Sequence, residues 1–419
     1  MARGGVPRGL PRNRDRMMRA KDIPAGEPDE HGADARFLAR VRALLPEIAA
    51  SADAIEQTQR IPEPLLRKLV DAEMFRLFLP RSVGGREGHP LTYMRMAEAV
   101  AKIDASTAWN LGQNNVCGIV AAYLAPEIAR AIFADPRAIL AWGPPEGPTR
   151  AIACEGGYRV SGRWFFASGG RHATWLGAYC PVYEADGTPR LGAAGQPAKR
   201  VFLFPAQAAT WFDVWNVIGL RGTASDTFAV TDLFVPEGYS VIRDDNVENH
   251  EAGWLYCFTS RSLYPCGFAS VALGVARTML DEFVTLARQK TPRGFASPLG
   301  QNAAIQSGLG RAEAALSSSR THLFQTMSET CEAVRRDHRV SLDQRMAIRL
   351  AATHAIHQAR LAGEFAYEAA GASAIFAANP FERRFRDLHT VAQQVQGRAS
   401  HFETVGQFLL GLETDHTFV

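Results

Sequence analysis

The order of hydrophobic patterns along the chain constrains its fold more than any other feature. Apolar residues recur at helical spacing over about residues 34–138, and long helical stripes return over 246–419. Between them, over 139–245, short β-rich runs alternate with glycine and proline turns. Short strands of this kind predict a compact barrel or sandwich, and the later stripes predict a four-helix bundle. We therefore expect a mostly α, α+β chain with an N-terminal helical domain, a small central β domain and a C-terminal bundle.

The first 33 residues differ in composition from the rest of the chain. They carry many basic side chains together with prolines and glycines, but no apolar run. A secretory signal needs an apolar segment after its positive charges, and none follows here. We expect residues 1–33 to form a disordered basic tail. The alternative is that translation begins at Met17 or Met18.

Charge and cysteine usage exclude several classes of function. The formal net charge is only +3, which gives no electrostatic reason to expect nucleic acid or an anionic membrane as partner. We find no run of about eighteen apolar residues that would span a bilayer. The six cysteines form no C-x-x-C pair, which argues against a zinc site or a disulfide framework. We therefore expect no metal and a cytoplasmic location.

Six local motifs carry more specific information than the overall pattern. They are FRLFLPRSVGGREG (75–88), DASTAWN (104–110), GRWFFASGGRHATW (162–175), GLRGTASDTFAVTDLFVP (219–236), RRFRDLHTVAQQVQG (383–397) and LLGLETD (409–415). In this order and at these separations they resemble the motifs of the acyl-CoA dehydrogenase superfamily, over about residues 35–415. The resemblance implies the three-part fold of that superfamily, with a flavin held between the β domain and the bundle.

The third motif contains the residue types that a flavin ring requires. The ring is a flat, mostly apolar plate with a polar edge, so it needs an aromatic or backbone wall and a few hydrogen-bonding groups. Phe166 can supply that wall, and Ala167, Ser168 and Gly169 follow it in a glycine-bounded turn. The resemblance places Ser168 near flavin N5. The alternative is a serine that caps its own turn.

The other cofactor-binding candidates lie in the predicted bundle. The resemblance implies that an arginine and a glutamine of a neighbouring subunit bind the diphosphate and adenosine, and Arg293 and Gln306 are the matching residues. A guanidinium suits phosphate because it carries a fork of donors, although Arg293 can also be a solvated surface residue. Gly371 matches a close-approach glycine of the superfamily, or it is a helix-packing glycine. The resemblance also implies a homotetramer.

Two departures from the superfamily motifs bear on the reaction. An acyl-CoA dehydrogenase needs a carboxylate base. Many members carry it after the Arg-Asp pair of the last helix, where this chain has Val395 or Gln396. The hydroxylating branch usually has a histidine where Gln394 stands. An amide can orient a substrate, but it cannot take a proton at neutral pH.

The motifs are most similar to those of the two-component flavin-dependent monooxygenases. This resemblance implies that reduced flavin, either FMN or FAD, comes from a separate reductase and reacts with O2 to hydroxylate a small organic substrate. In this hypothesis Ser168 holds the flavin edge and Trp109 packs the substrate side. Arg221 steadies the pocket or an anionic group, while His389 and Gln394 orient the substrate. Two alternatives stay open: an FAD-dependent acyl-CoA dehydrogenase with a relocated base, and a non-catalytic scaffold.

Overall fold

The computed structural model describes residues 32–192, 195–243 and 248–419. In this part of the chain five helices come first, eight strands follow, and five further helices complete the fold. This order confirms the predicted mostly α, α+β architecture. The predicted tail falls almost wholly outside the described residues, and so does the predicted boundary between residues 245 and 246.

The N-terminal helices surround one deeply buried helix. They are α1 (Ala33–Thr58), α2 (Glu63–Asp71), α3 (Pro90–Ala101), α4 (Ala105–Gly118) and α5 (Pro126–Phe133). Every residue of α4 is buried, and its N-cap Asp104 accepts the Thr107 N–H at 2.6 Å. Because α4 has no solvent-exposed face, each polar side chain on it must find a partner inside the protein or in a bound molecule.

The strands form one sheet that folds around a core of its own. They are β1 (Leu140–Trp142), β2 (Arg150–Cys154), β3 (Gly157–Ala167), β4 (Trp175–Tyr183), β5 (Lys199–Pro205), β6 (Thr210–Phe212), β7 (Asp226–Pro236) and β8 (Ser240–Val241). Their order is β6-β7-β3-β2-β4-β5-β8, with β1 paired to β4. The inner face buries large rings such as Trp164, Phe202 and Phe228. The long β3–β7 pair is antiparallel and ends beside α4, where the predicted flavin motif lies.

The C-terminal helices pack around a central apolar helix. They are α6 (Ser260–Gln289), α7 (Ala303–Asp337), α8 (Leu342–Ala370), α9 (Phe381–Gln393) and α10 (Ser400–Leu409). Helix α6 contacts α8, α7, α9 and also α3 and α4. Among the described helices α6 is long and apolar enough to cross a membrane, but 89% of its most apolar stretch is buried inside the protein. Its composition is therefore that of a core helix.

Candidate active site

Ser168 lies where the β domain meets helix α4. It follows the last residue of β3, and its side chain is only 6% exposed. The Trp109 indole N–H donates to Ser168 Oγ at 3.1 Å, although the two residues are 59 positions apart in sequence. The fold thus joins two of the residues that the sequence analysis selected as catalytic.

Two further hydroxyl groups connect Ser168 to the loop before β7. Ser168 Oγ lies 2.7 Å from Ser225 Oγ, which in turn lies 2.8 Å from Thr223 Oγ1. The Thr223 hydroxyl donates to the Leu220 carbonyl oxygen at 2.9 Å. All four residues are buried. We call the series Trp109, Ser168, Ser225, Thr223 and Leu220 the hydroxyl chain. Ser225 and Thr223 were not predicted from the sequence, where the signal for them is a pair of hydroxyl residues spaced two apart in GLRGTAS.

Helix α9 holds this loop in a strained conformation. Leu220 and Ala224 have φ angles of 52° and 42°, in the left-handed region that is unfavourable for side chains with a Cβ. The Leu220 N–H donates to Asp387 Oδ1 at 2.6 Å. A Cβ at Gly219 would lie 2.3 Å from the Arg386 carbonyl oxygen, so only glycine permits this contact. Burial raises the pKa of Asp387 to about 7, although the Leu220 N–H counteracts it.

Arg221 lies at the junction of the same loop with helix α1. Its Nε is 3.9 Å from Glu56 Oε1, and its side chain is about one third exposed. Glu56 also pairs with Arg386 Nη2 at 3.0 Å. These ion pairs connect Arg221 through Glu56 to Arg386 on helix α9. The proposed action of Arg221 on the pocket or an anionic group stays a prediction.

Phe166 forms an apolar wall beside Ser168. Its ring is 51% exposed, and its φ of 55° is uncommon for a bulky residue and typical of a functional site. The Trp215 ring meets the Phe166 ring edge-on at 5.9 Å. Val214 and Ile218, on the same loop as Trp215, are also more than half exposed. An exposed apolar wall next to a buried hydroxyl fits a planar ring with a polar edge.

The two residues that flank Ser168 have different surroundings. The Ala167 side chain is fully buried in the β core, so it leaves only its backbone to a cofactor. Gly169 has a φ of 76°, and a Cβ there would lie 2.4 Å from Asn114 Oδ1. Its N–H donates to the Thr223 carbonyl oxygen at 2.9 Å. Gly169 therefore allows the close approach of the turn to α4.

An aromatic stack extends inward from Trp109. The Trp109 and Phe268 rings lie 3.8 Å apart and nearly parallel, and the Tyr264 ring continues the stack at 5.5 Å. At the far end of the stack from Trp109, the Tyr264 hydroxyl lies 3.4 Å from Cys117 Sγ. Burial raises the pKa of Cys117 to about 12 and that of Tyr264 well above its usual value. Neither group is therefore ionised at neutral pH.

His172 lies on the other side of Asn114. The Asn114 amide N–H donates to the Leu140 carbonyl oxygen at 3.0 Å, so its Oδ1 is left to accept from His172 Nε2 at 3.2 Å. Burial lowers the pKa of His172 to about 4. The imidazole is therefore neutral at neutral pH and holds Asn114 in place.

His389 and Gln394 are turned towards partners in the bundle. His389 Nε2 lies 3.4 Å from Glu364 Oε1 on α8, and burial is the main reason why the pKa of His389 is lowered. Gln394 Oε1 accepts the Gln396 N–H at 2.7 Å and so caps the turn after α9. Neither contact reaches Ser168 or Trp109, and a role in orienting substrate stays a prediction for both residues.

The bundle candidates for cofactor binding are exposed and lie at the far end of α6. Arg293 follows this helix, whereas Phe268, which stacks on Trp109, lies in its first half. At 1.5 Å per residue the helical path from Phe268 to the end of α6 is about 30 Å. The Gln306 amide donates to the Gly300 carbonyl oxygen at 2.9 Å, and Gly371 adopts a φ of 57°. Within a single chain, Arg293 therefore lies far from Ser168.

Metal-binding side chains are scattered in the part of the chain that the structure describes. No group of three or more His, Cys, Asp or Glu residues there is arranged to hold a metal ion. All six cysteines are free, and four of them are buried.

Both helical regions of this chain match models of a known protein family. Residues 34–132 match the model of the acyl-CoA dehydrogenase N-terminal domain, and residues 266–397 match that of the C-terminal domain. The oxygenase component of FADH(2)-dependent resorcinol hydroxylase from Rhizobium sp. (strain MTP-10005) is 27% identical, over 93% of this chain and 97% of its own length. Indole-3-acetate monooxygenase from Pseudomonas putida is 27% identical, over 87% and 94%.

Solved structures share the same architecture. The structure of XiaF from Streptomyces sp. in complex with FADH2 and glycerol has a TM-score of 0.82 and 23% sequence identity, and the match covers 91% of this chain and 96% of that chain. At this identity the likeness concerns the fold. The two domain matches together cover more than half of the present chain.

Proposed function

We propose a function for this chain, which belongs to the acyl-CoA dehydrogenase superfamily: it is a flavin-dependent monooxygenase that uses reduced flavin and O2 to hydroxylate a small organic substrate. The observation that carries the proposal is the buried Ser168 hydroxyl, held by Trp109 and placed beside the exposed ring of Phe166. The named relatives are a hydroxylase component and a monooxygenase, which supports this reaction over the alternatives.

The bound flavin supplies the electrons that activate O2, and the chain supplies binding, orientation and a dry environment. Phe166 would pack against the flat ring, while Ser168 would meet its polar edge. The Trp109–Phe268 stack closes the inner side and keeps water away from the reacting atoms. Both rings are buried, so this side of the site has a low dielectric.

The residues around Trp109 orient a substrate and do not deprotonate it. The raised pKa values of Cys117 and Tyr264 keep both groups protonated at neutral pH, and the Gln113 side chain does not titrate. Gln113 donates to the Trp142 carbonyl oxygen at 3.5 Å, so its amide oxygen is left to accept from a substrate. We propose Gln113 as a substrate-orienting group of this pocket.

The dehydrogenase alternative lacks its base in this chain. Gln396, one of the two residues at the expected base position, is buried and accepts from Arg349 Nη1 at 2.6 Å. Its amide therefore has a structural partner and no acidic function. A relocated carboxylate would have to lie near Trp109, where the side chains described above are aromatic, amide, thiol or hydroxyl groups.

Two partners and a location complete the proposal. A separate reductase supplies the reduced flavin, as expected from the relative that is an oxygenase component. A second copy of the chain, in a homotetramer, supplies Arg293 and Gln306 to the flavin, because about 30 Å of α6 separates Arg293 from the site within one chain. The six free cysteines support a cytoplasmic location.

Anaerobic titration with reduced FMN and reduced FAD, followed by ¹⁸O2 and a panel of phenols and indoles, tests the proposal. We expect tight binding of one reduced flavin and incorporation of one labelled oxygen atom into a substrate. The variant to compare with the wild type is Ser168→Ala, which should form less product per O2 consumed and release more H2O2. Failure to bind reduced flavin, or bleaching of bound FAD by an acyl-CoA, would contradict the proposal.

A further inference from the structure

The hydroxyl chain has a direction that its two ends determine. The Trp109 indole N–H can only donate, so Ser168 Oγ accepts from it. At the other end the Leu220 carbonyl oxygen can only accept, so the Thr223 hydroxyl gives it its single proton. Ser225 must then donate to Thr223, and Ser168 must donate to Ser225. All three hydroxyl protons, those of Ser168, Ser225 and Thr223, thus point away from the candidate flavin edge.

Ser168 keeps one hydrogen-bonding position open in this arrangement. A serine hydroxyl has one proton and two lone pairs. The proton is given to Ser225, and Trp109 occupies one lone pair. The second lone pair is therefore available to a bound molecule, and Ser168 meets that molecule as an acceptor.

The redox state of a flavin decides whether it suits an acceptor. Its N5 carries a proton when the ring is reduced and has only a lone pair when the ring is oxidised. A reduced ring can therefore donate to Ser168 without changing any hydrogen bond of the hydroxyl chain. An oxidised ring needs Ser168 to donate, so Ser225 and Thr223 must both reverse, and Thr223 gives up its bond to Leu220.

We propose that the hydroxyl chain makes the site select reduced over oxidised flavin, with Ser225 and Thr223 as positioning residues that act through Ser168. This inference rests on the proposed function. The Leu220 carbonyl oxygen still accepts from the Trp215 indole at 3.1 Å after the reversal, so the change costs one hydrogen bond and leaves no orphaned acceptor. One such bond corresponds to roughly a three- to tenfold preference.

Thr223→Val tests the inference at a distance from the flavin. Valine has nearly the shape of threonine but no hydroxyl, so Ser225 loses its acceptor and turns its proton to Ser168. Ser168 then becomes a donor, which favours the oxidised ring. The dissociation constants of reduced and oxidised flavin, measured anaerobically, should show a preference for reduced flavin that is about three- to tenfold smaller than in the wild type. A tenfold change lowers the midpoint potential of the bound flavin by about 30 mV.

Thr223→Ser is the matched control, because it restores the hydroxyl and should restore the wild-type ratio. Ser225→Ala is the second variant, which removes the acceptor of Ser168 and should shift the ratio in the same direction. Equal weakening of both redox forms in these variants, or an unchanged ratio, would overturn the inference while the proposed function stands. A wild-type protein that binds neither form would overturn both.

Discussion

Replacing Asp387 with asparagine should flatten the pH dependence of stability. Asp387 is 4% exposed, and burial raises its pKa to about 7, whereas an unfolded aspartate titrates near 4. Above pH 4 the unfolded chain therefore loses a proton that the folded chain still holds. The unfolded state binds fewer protons in this window, so the wild type loses stability as pH rises from about 4 to about 7.

The size of this loss follows from the pKa shift of Asp387. Each pH unit in the window costs about 1.4 kcal/mol, so the Asp387 contribution between pH 5 and pH 8 is about 3 kcal/mol. Asparagine keeps an oxygen that can accept the Leu220 N–H, but it has no proton to lose. Asp387→Asn should therefore retain the loop and lack this component of the pH dependence.

Urea unfolding at pH 5, 6, 7 and 8 measures the effect directly. The difference in unfolding free energy between pH 5 and pH 8 should be smaller in Asp387→Asn than in the wild type by about 3 kcal/mol. Asp71→Asn, at an exposed position on α2, is the control and should reproduce the wild-type slope. Identical slopes in the wild type and Asp387→Asn would show that Asp387 does not retain its proton in the folded state.

Three further variants test other parts of the site. Trp109→Phe keeps the aromatic stack but removes the N–H that Ser168 accepts, so product formed per O2 should fall by roughly two- to tenfold; unchanged coupling would contradict this role. Gly169→Ala places a Cβ 2.4 Å from Asn114 Oδ1 at a φ of 76°, which should cost about 1–3 kcal/mol in urea unfolding; a neutral change would show that the turn can move. Arg293→Ala should weaken FAD binding at least about tenfold if it contacts the diphosphate, with little effect on FMN; equal effects on both flavins would refute that contact.

The fold was predictable because its determinants are local. The period of the apolar residues indicates the helices, and prolines stand at the starts of α2, α3 and α5. Glycine and proline turns indicate where the strands end. The contact between Ser168 and Trp109 could be predicted only by combining two motifs that resemble those of the superfamily. Burial of all of α4 was not predicted, because its many polar residues are typical of an exposed helix unless their partners are known.

Residues that act through others escaped the sequence analysis. Ser225 and Thr223 lie in a motif that the sequence analysis quoted, but their importance depends on which hydroxyl donates to which, and that follows only from the three-dimensional contacts. His389 was selected because it lies in a motif that resembles the last helix of the hydroxylating branch, whereas in the structure its Nε2 lies 3.4 Å from Glu364 Oε1. Side-chain chemistry alone could not show that helix α8 would supply this partner.

The absence of an ionisable group from the hydroxyl chain has a physical consequence for the reaction. Indole, hydroxyl and carbonyl groups keep their protonation state across the range in which enzymes operate, so the orientation of Ser168 depends on geometry rather than on pH. The titrating group Asp387 contacts the hydroxyl chain through the Leu220 N–H. Ser168 can therefore present the same lone pair to a reduced flavin across this pH range. The chemistry of the substrate, and not that of the protein, then determines whether a proton must move.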